Sequence, residues 1–329
     1  MSVEFFSPSD SVDPTKVRRS KDGRPYVKQP CPDESPWEDG EGCVEGRIAG
    51  KRDGTRKQCP KCKGKGYIEK LYSRCTSFVG VLDDRSNLEK WQKRIILVGL
   101  ATEPWMMRVV AATSPDDKDA LDVLADQLFE AGDGHVKAQK GTDLHTLTEY
   151  VDKGWDLPAT LTDYETGQER HVTLQDRADI AAWVRVYEEL PLRTLGSECF
   201  VVQDEYQIGG TYDRRVDCKD WVCPCALPNI LDLKTGRIDY GAGKIAQQLA
   251  VYANSRDYDP ATGERSDQDV CTHYGIVVHL PQGTGEATVH VVDLVAGWEA
   301  VKLSSQVREH RRMSKNMIWS LEDHPQLTQ

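Results

Sequence analysis

The spacing of apolar residues changes near residue 199, and this change restricts the chain to folds that combine helices with a sheet. Upstream, apolar residues recur every three or four positions, as in Ile180, Trp183 and Tyr187, which is typical of an amphipathic helix. Downstream, the pattern predicts three strands with short connections, over 199–203, 206–217 and 230–234.

Helices and strands alternate after these three strands. The pattern predicts a helix over about 243–256, strands near 272–280 and 287–295, and a closing helix over about 296–317. Helices that precede a strand cluster, followed by alternating elements, are typical of an α/β fold. We therefore expect a mixed central sheet flanked by helices.

The N-terminal part of the chain has a different composition. Residues 31–75 contain five of the ten cysteines and many glycines and lysines, but too few apolar residues for a core of their own. Such a segment folds only if a cross-link holds it. We therefore divide the chain into four parts: a loosely ordered arm (1–30), a cysteine-rich module (31–75), the main domain (76–320) and a C-terminal tail (321–329).

The cysteines of the module are typical of a structural zinc site. Cys59 and Cys62 form a C-x2-C knuckle followed by glycines, which is a common zinc-binding arrangement. Cys31 and Cys43 are the expected partners, and Cys75 is a further candidate. The alternative is a cysteine loop without metal. Zinc would hold the surrounding lysines and arginines as a basic surface suited to phosphates.

Charge and composition narrow the class of protein. The net charge of −11 argues against a protein that coats nucleic acid non-specifically, yet basic residues cluster at 51–65 and again at 308–315. Local basic patches on an acidic body suit an enzyme that binds a polyanion at chosen places; solvated surface charge is the alternative. The first residues do not resemble a signal peptide, and no apolar stretch is long enough to cross a bilayer, so we expect a cytoplasmic protein without membrane contact.

The sequence ILDLKTG carries the strongest chemical signal. Asp232 and Lys234 are two residues apart on a predicted strand, so their side chains leave the same face. A carboxylate can hold a divalent ion there, and the lysine can orient the attacking water or offset charge on a phosphate. Taken alone, the pair is a weak signal, because an inert Asp–Lys surface pair on a strand is common.

Three further motifs favour the chemical interpretation. IGGTYDR places Asp213 at the end of a neighbouring strand, where two glycines permit close backbone approach. Gln248 and Tyr252 share one face of the following helix, and His145 and Glu149 share one face of an earlier helix. In isolation, each of these residues could instead belong to an ordinary polar surface or turn.

Taken in order, these motifs resemble a known family. The set G-T-x-x-H-x-x-x-E, G-G-T-x-D, D-x-K-T-G and Q-x-x-x-Y is similar to the RecB-like branch of the PD-(D/E)XK nucleases, over roughly residues 76–300. Within that branch the chain most resembles phage-encoded exonucleases related to the CRISPR-associated ones. The resemblance implies a restriction-endonuclease-like core for the main domain.

The resemblance also implies residue roles. His145, Asp213 and Asp232 match the family's metal ligands, and the backbone carbonyl of Leu233 matches a further one. Lys234 matches the catalytic lysine. Gln248 and Tyr252 match a pair that lines the path of the DNA strand, and Glu149 would support the site from outside the ligand shell. Oxygen ligands with one histidine suit Mg²⁺ or Mn²⁺.

The implied activity is metal-dependent exonucleolytic hydrolysis of DNA, in phage replication or recombination. Expected partners are single-stranded DNA or duplex ends, together with phage recombination or replication proteins in the host cytoplasm. A structure-specific or nicking endonuclease is the alternative within the same chemistry. A catalytically inert DNA-binding accessory protein of recombination is the alternative from another class.

The remaining cysteines separate this chain from some relatives. Relatives with an iron–sulfur cluster carry three cysteines after the Q-x-x-x-Y helix, whereas only Cys271 follows it here, so we expect no such cluster. Cys218, Cys223 and Cys225 lie between the two acidic strands and could bind a second metal, with Cys199 as a fourth ligand. Reduced, unbound thiols are the interpretation we favour from the sequence.

Overall fold

The structure is a computed structural model that describes residues 17–32, 43–49, 56–162, 167, 169–219, 221–314 and 317–318. The eight helices of this part of the chain are α1 (Cys75–Val79), α2 (Ser86–Thr102), α3 (Met106–Ala112), α4 (Lys118–Ala131), α5 (Val136–Asp152), α6 (Leu174–Glu189), α7 (Ala242–Ala253) and α8 (Leu294–Met313). Local sequence explains several starts: Thr173 and Asp176 form a reciprocal cap at α6, and Asp293 caps α8.

The strands form one large sheet and three small two-stranded sheets. The small pairs are β1 (Tyr26–Pro30) with β4 (Tyr67–Leu71), β2 (Arg47–Ala49) with β3 (Arg56–Gln58), and β6 (Thr160–Thr162) with β7 (Glu169–His171). The large sheet contains β5 (Ser73–Arg74), β8 (Arg193–Gln203), β9 (Ile208–Asp217), β10 (Asn229–Lys234), β11 (Arg256–Tyr258), β12 (Arg265–Ser266), β13 (Tyr274–His279) and β14 (Thr288–Asp293).

The eight-stranded sheet is mixed, as the sequence predicts. Its order is β12-β11-β8-β9-β10-β13-β14, with β5 added beside β9. β10 runs parallel to β13 and β5 parallel to β9, while the other neighbours are antiparallel. The predicted α/β class, with a mixed central sheet flanked by helices, is confirmed.

Helices cover both faces of the sheet, and β10 shows why. Ile230 packs in the cluster that contains Leu249 of α7, whereas Leu231 and Leu233 pack in the cluster that contains Trp183 of α6. A strand with both faces buried is expected to be apolar throughout. Asp232 is a charged exception in β10, where only 2% of its surface is exposed, and Asn229 is buried too. A buried carboxylate in such a strand needs a chemical explanation.

The N-terminal part packs against this sheet through β1 and β4. Residues 1–16 of the predicted arm and the tail 321–329 lie outside the described residues. In the described part of the arm, Val17 and Val27 join a small core with Tyr72 and Tyr258. The backbone N–H of Lys28 donates to the Tyr258 hydroxyl at 2.8 Å, which ties β1 to the sheet.

Helices α2 to α4 form an outlying group. Trp91 of α2 contacts Phe129 of α4 edge to face, with ring centroids 5.5 Å apart. Within the described residues, no single helix has both the length and the apolar character to cross a membrane. The pair α2 and α3, which meets at a bend of 115°, reaches that length and composition only when the two are taken together.

Candidate functional site

Two acidic residues predicted from sequence meet where the ladder between β9 and β10 ends. The last backbone pair is Leu231 with Arg214, so the next step along each strand brings Asp232 beside Asp213. Beyond this pair, a side chain takes the place of a backbone hydrogen-bond partner. The Oδ2 atom of Asp213 accepts a hydrogen bond from the backbone N–H of Leu233 at 2.7 Å. Leu233 thus contributes its backbone to the site, while its side chain is buried in the α6-side core.

A third carboxylate continues this row onto β8. In the β8–β9 register Cys199 pairs with Tyr212, so the next position places Glu198 opposite Asp213. Glu198 has a positive φ of 50°, which is uncommon for a residue other than glycine. Three neighbouring strands therefore each contribute a carboxylate, and Glu198 is a site residue that the motif analysis does not identify.

His145 reaches the same place from α5. Its Nδ1 lies 3.4 Å from Asp213 Oδ2, and 31% of its side chain is exposed. Glu149, one turn further along the helix, forms an ion pair with Lys153 at 3.2 Å and lines the same cleft. The i, i+4 spacing predicted from sequence thus places both side chains beside the acidic row.

A buried ion pair holds α5 against β9. Arg214 follows Asp213 in the sequence, and its Nε donates to Asp152 Oδ2 at 2.5 Å. A second guanidinium nitrogen donates to the Thr148 hydroxyl at 2.8 Å, and the group lies 4.5 Å from the Trp183 ring. Because Thr148 and Asp152 belong to the same helix as His145, this contact fixes the position of the imidazole relative to Asp213.

Asp232 and Lys234 form the pair expected from their shared strand face. Lys234 Nζ lies 2.5 Å from Asp232 Oδ2. That oxygen is buried and has no other hydrogen-bond donor among the described residues. A buried carboxylate oxygen with a single partner needs an explanation, such as a catalytic role or an ion or water that belongs at the site.

The row opens into a cleft of about 900 Å³. His145, Glu149, Glu198 and Asp213 line one side. Thr235 and the residues after β10 line another, together with the end of β13. Asp232 is buried and does not line the cleft. The cleft therefore gives solvent access to the carboxylates of Glu198 and Asp213, while most of their surface stays buried.

Burial and mutual repulsion raise the pKa values of the carboxyl groups. Burial, followed by the neighbouring Asp213, raises the pKa of Asp232 to about 7 although Lys234 opposes the change. Burial and Asp213 likewise raise the pKa of Glu198 to about 8. Burial works against the charge of Lys234, but Asp232 and Asp213 raise its pKa overall. The site thus holds more negative charge than its own cations neutralise.

Burial also keeps His145 ready to act as a ligand. It lowers the pKa of the imidazole, even though the nearby Asp213 has the opposite effect. A neutral imidazole is the form that binds metal ions. One imidazole with several carboxylate oxygens is a donor set that suits Mg²⁺ or Mn²⁺.

At least one of the side chains of His145, Asp213 and Asp232 must move before all three can bind one ion. Among the described residues, the two groups whose ligand atoms all lie within 4.8 Å of one another consist of cysteines, with one histidine. The ligand atoms of His145, Asp213 and Asp232 are more widely spread. One ion shared by all three requires at least one of these side chains to rotate, because its ligands would lie about 2.0–2.2 Å from it.

Gln248 and Tyr252 line a second cleft of about 460 Å³. Gln248 Nε2 donates to the Tyr252 hydroxyl at 3.1 Å. A side chain at Gly210 would lie 2.7 Å from the Tyr252 ring, so the glycine of the G-G-T-x-D motif is needed for this packing. Arg19 and Arg74 also line this cleft.

Further arginines lie near these two. Burial, followed by Arg74, lowers the pKa of Arg19, which shows that the two guanidinium groups lie close together. Burial, Arg24 and Arg311 lower the pKa of Arg308 in the same way. Positive charges are thus brought together at this surface, although the net charge of the protein is −11. This local positive charge favours an anionic ligand here.

The four cysteines predicted to bind zinc form one group. Their sulfur atoms all lie within 4.8 Å of one another, with 3.7 Å between Cys31 and Cys59 and 3.6 Å between Cys43 and Cys62. Sulfurs 2.3 Å from a tetrahedral zinc ion would be about 3.8 Å apart. A disulfide requires sulfurs about 2.05 Å apart, so these distances describe a group that could hold a metal such as zinc.

The other candidate cysteines lie elsewhere. Cys75 is buried beside Tyr252, and burial raises the pKa of its thiol to about 12. Cys218 donates to the Asn229 side chain at 2.8 Å, and Cys199 packs in the α7-side core. Within the described residues, none of these three belongs to a group that could hold a metal. The sequence-based grouping of Cys218 and Cys199 with Cys223 and Cys225 is therefore not what the structure shows.

Comparison with known proteins does not assign the chain to a family. No protein-family model matches the chain, and no curated protein matches it either.

Proposed function

We propose that the chain is a metal-dependent deoxyribonuclease with a restriction-endonuclease-like core. One observation carries this proposal: Asp213 contacts both His145 of α5 and the backbone of Leu233, the residue between Asp232 and Lys234, so candidate residues from three separate elements come together. The order of the sequence motifs is the reason for interpreting these residues as a nuclease site. The same resemblance is the ground for an exonuclease that acts on phage DNA during replication or recombination.

Each side chain has a role in this proposal. His145, Asp213 and Asp232 would hold Mg²⁺ or Mn²⁺ together with the carbonyl of Leu233. The ion would activate water and offset negative charge on the phosphate. Binding it would also relieve the repulsion that raises the pKa values of Asp232 and Glu198.

Lys234 is suited to act on the phosphate. Its ammonium is held by Asp232, and a quarter of the side chain (26%) is exposed. Because Asp232 and Asp213 raise its pKa, the group stays charged at neutral pH. A fixed cation beside the reacting phosphate stabilises the negative charge that develops in the transition state.

The second cleft would guide the DNA strand. Gln248, Tyr252, Arg19 and Arg74 all line this cleft. Because Tyr252 is largely buried, the contacts to DNA would come from the Gln248 amide and from the arginines, which bind phosphates. Burial, and then the charges of Asp232 and Asp213, raise the pKa of Tyr252, which supports a position for this cleft near the proposed catalytic residues.

Digestion of labelled DNA tests the proposal. Wild type should degrade end-labelled linear DNA with Mg²⁺ or Mn²⁺ and stop in EDTA. Asp232→Asn and Lys234→Ala should each lower the rate by about a hundredfold or more, because each removes a group that acts on the reacting phosphate. Lys244→Ala is the matched control, since Lys244 forms an ion pair with Asp83 outside the site.

The substrates distinguish the alternatives. Release of single nucleotides from ends, with closed circular DNA left intact, is the result expected of an exonuclease. Nicking of the circle would replace that assignment with an endonuclease. Binding of DNA without cleavage in excess Mn²⁺ would contradict the nuclease proposal and favour an accessory protein. Wild-type rates for both Asp232→Asn and Lys234→Ala would overturn the assigned mechanism.

A further inference from the structure

A second group of metal-ligating side chains lies outside the acidic cleft. It consists of Cys223, Cys225, Cys271 and His273, whose ligand atoms all lie within 4.8 Å of one another. Cys223 Sγ is 3.9 Å from His273 Nδ1, although the two residues are 50 positions apart in the chain. Cys223 and Cys271 are buried, whereas His273 is exposed at the surface.

The sheet topology explains why these residues meet. Cys223 and Cys225 lie in the loop that leads into β10, and Cys271 and His273 directly precede β13. β10 and β13 are parallel neighbours, so the chain enters both strands at the same edge of the sheet. The backbone N–H of Cys271 donates to the Pro228 carbonyl at 2.7 Å, which joins the two entering segments.

The local backbone is already shaped for ligation. The N–H of Ala226 donates to the Cys223 carbonyl at 3.1 Å, which closes the Cys-Pro-Cys segment into a tight turn. The N–H of Tyr274 donates to Cys271 Sγ at 3.4 Å. Hydrogen-bond donors of this kind, outside the ligand shell, orient the ligands of a metal site.

We propose that these four residues bind one structural Zn²⁺ ion. Three sulfurs and one imidazole nitrogen form a common tetrahedral zinc set, in which a sulfur and a nitrogen lie about 3.6 Å apart. Four protein ligands leave no open position, so the ion would cross-link the chain and take no part in catalysis. The proposal is independent of the nuclease assignment, because none of these residues lines either cleft.

The ion would fix the start of the strand that carries Asp232 and Lys234. Asn229, the first residue of β10, donates through its side-chain nitrogen to the Tyr274 carbonyl at 2.6 Å. Zinc bound between Cys225 and Cys271 would hold the same two segments by a second link. Lys234 is five residues further along β10, about 16 Å away at the usual strand rise, so the site lies at the opposite end of the strand.

Counting zinc in the purified full-length chain tests the proposal. Wild type reconstituted with Zn²⁺ and passed through a desalting column should retain two equivalents, one for each group. Cys223→Ser/Cys225→Ser should retain one, and so should Cys59→Ser/Cys62→Ser. Cys218→Ser is the matched control and should retain two, because Cys218 bonds Asn229 instead of a ligand group.

Two further measurements do not depend on the folding of a double variant. His273→Ala removes an exposed ligand and should weaken retention of one equivalent by more than the roughly 10–100-fold typical of outer-shell changes. In wild type, Zn²⁺ should protect Cys223, Cys225 and Cys271 from alkylation, and a chelator should expose them. A zinc content that is the same in wild type and in Cys223→Ser/Cys225→Ser, or alkylation that does not change with zinc, would overturn the proposal.

Discussion

At the scale of single residues, the unusual feature is a row of buried carboxylates across adjacent strands. Glu198, Asp213 and Asp232 occupy neighbouring positions on β8, β9 and β10. Lys234 is the cation that contacts this row, through Asp232. Carboxylates placed this close in a buried site repel one another, so in the absence of a bound cation the row destabilises the folded chain.

Replacing Glu198 with glutamine should therefore stabilise the metal-free protein. Because the pKa of Glu198 is about 8 in the folded state, well above that of a free glutamate, folding takes up a proton between these two values. Its contribution to stability is present at low pH and is lost as the pH rises through 8. At pH 9 in EDTA, the free energy of unfolding of Glu198→Gln should exceed that of wild type by at least about 1.4 kcal/mol, which corresponds to one pKa unit.

Denaturant unfolding at pH 5 and pH 9 measures this difference. The gap between Glu198→Gln and wild type should shrink at pH 5, where the wild-type carboxyl is protonated. Saturating Mn²⁺ should also reduce it, because a cation neutralises the row. Glu188→Gln, at an exposed position on α6, serves as the control. Equal gaps at both pH values would contradict the repulsion argument.

At the scale of elements, the contact between α5 and β9 decides where His145 lies. Arg214 is 1% exposed and binds Asp152 and Thr148 of the helix. Burial raises the pKa of Asp152 even though Arg214 opposes the change, so the attraction does not fully offset the loss of solvation. Such a pair adds little net stability, but removing one partner leaves the other charge buried alone.

Asp152→Ala should lower the free energy of unfolding by about 3–5 kcal/mol, because the Arg214 guanidinium would remain buried without its partner. The matched control is Lys153→Ala at the end of the same helix, which breaks the partly exposed pair with Glu149 and a cation–π contact with Trp155 and should cost at most about 2 kcal/mol. Urea unfolding of both variants measures the difference. Similar losses for the two would show that the buried pair does not anchor α5.

At the scale of the whole molecule, two kinds of force hold the chain together. The eight-stranded sheet is held by apolar clusters on both faces. The segment around Cys31, Cys43, Cys59 and Cys62 contributes few buried apolar side chains apart from the cysteines themselves. Metal binding, which is worth roughly 10–16 kcal/mol for structural zinc, is a larger source of order for it than burial can be.

Removing metal from the four-cysteine group should therefore loosen the module and leave the sheet folded. In Cys59→Ser/Cys62→Ser, trypsin should cleave quickly after the lysines at 57–65, whereas wild-type protein with Zn²⁺ should resist. The circular dichroism of the remaining chain should change little, because β1 stays bonded to the sheet through Tyr258. Resistance of the variant equal to that of wild type would show that metal does not order this segment.

Much of the fold could be predicted from the sequence because it depends on local patterns. The 3.6-residue spacing in α6, the alternation in β9 and the apolar run at 199–203, the second half of β8, identify these elements without reference to the rest of the chain. The same holds for the shared faces of Asp232 with Lys234 and of His145 with Glu149, which follow from strand and helix geometry. The cysteine knuckle also predicts its group, since a segment without a core needs a cross-link.

Strand register and strand order were decided only by the tertiary structure. Glu198 belongs to the site because β8 pairs with β9 one step beyond Cys199 and Tyr212. Cys271 and His273 join Cys223 and Cys225 because β13 runs parallel beside β10, and no local pattern reveals that neighbour. Local spacing determines which face a side chain occupies, whereas packing of the whole chain determines which distant side chain stands opposite it.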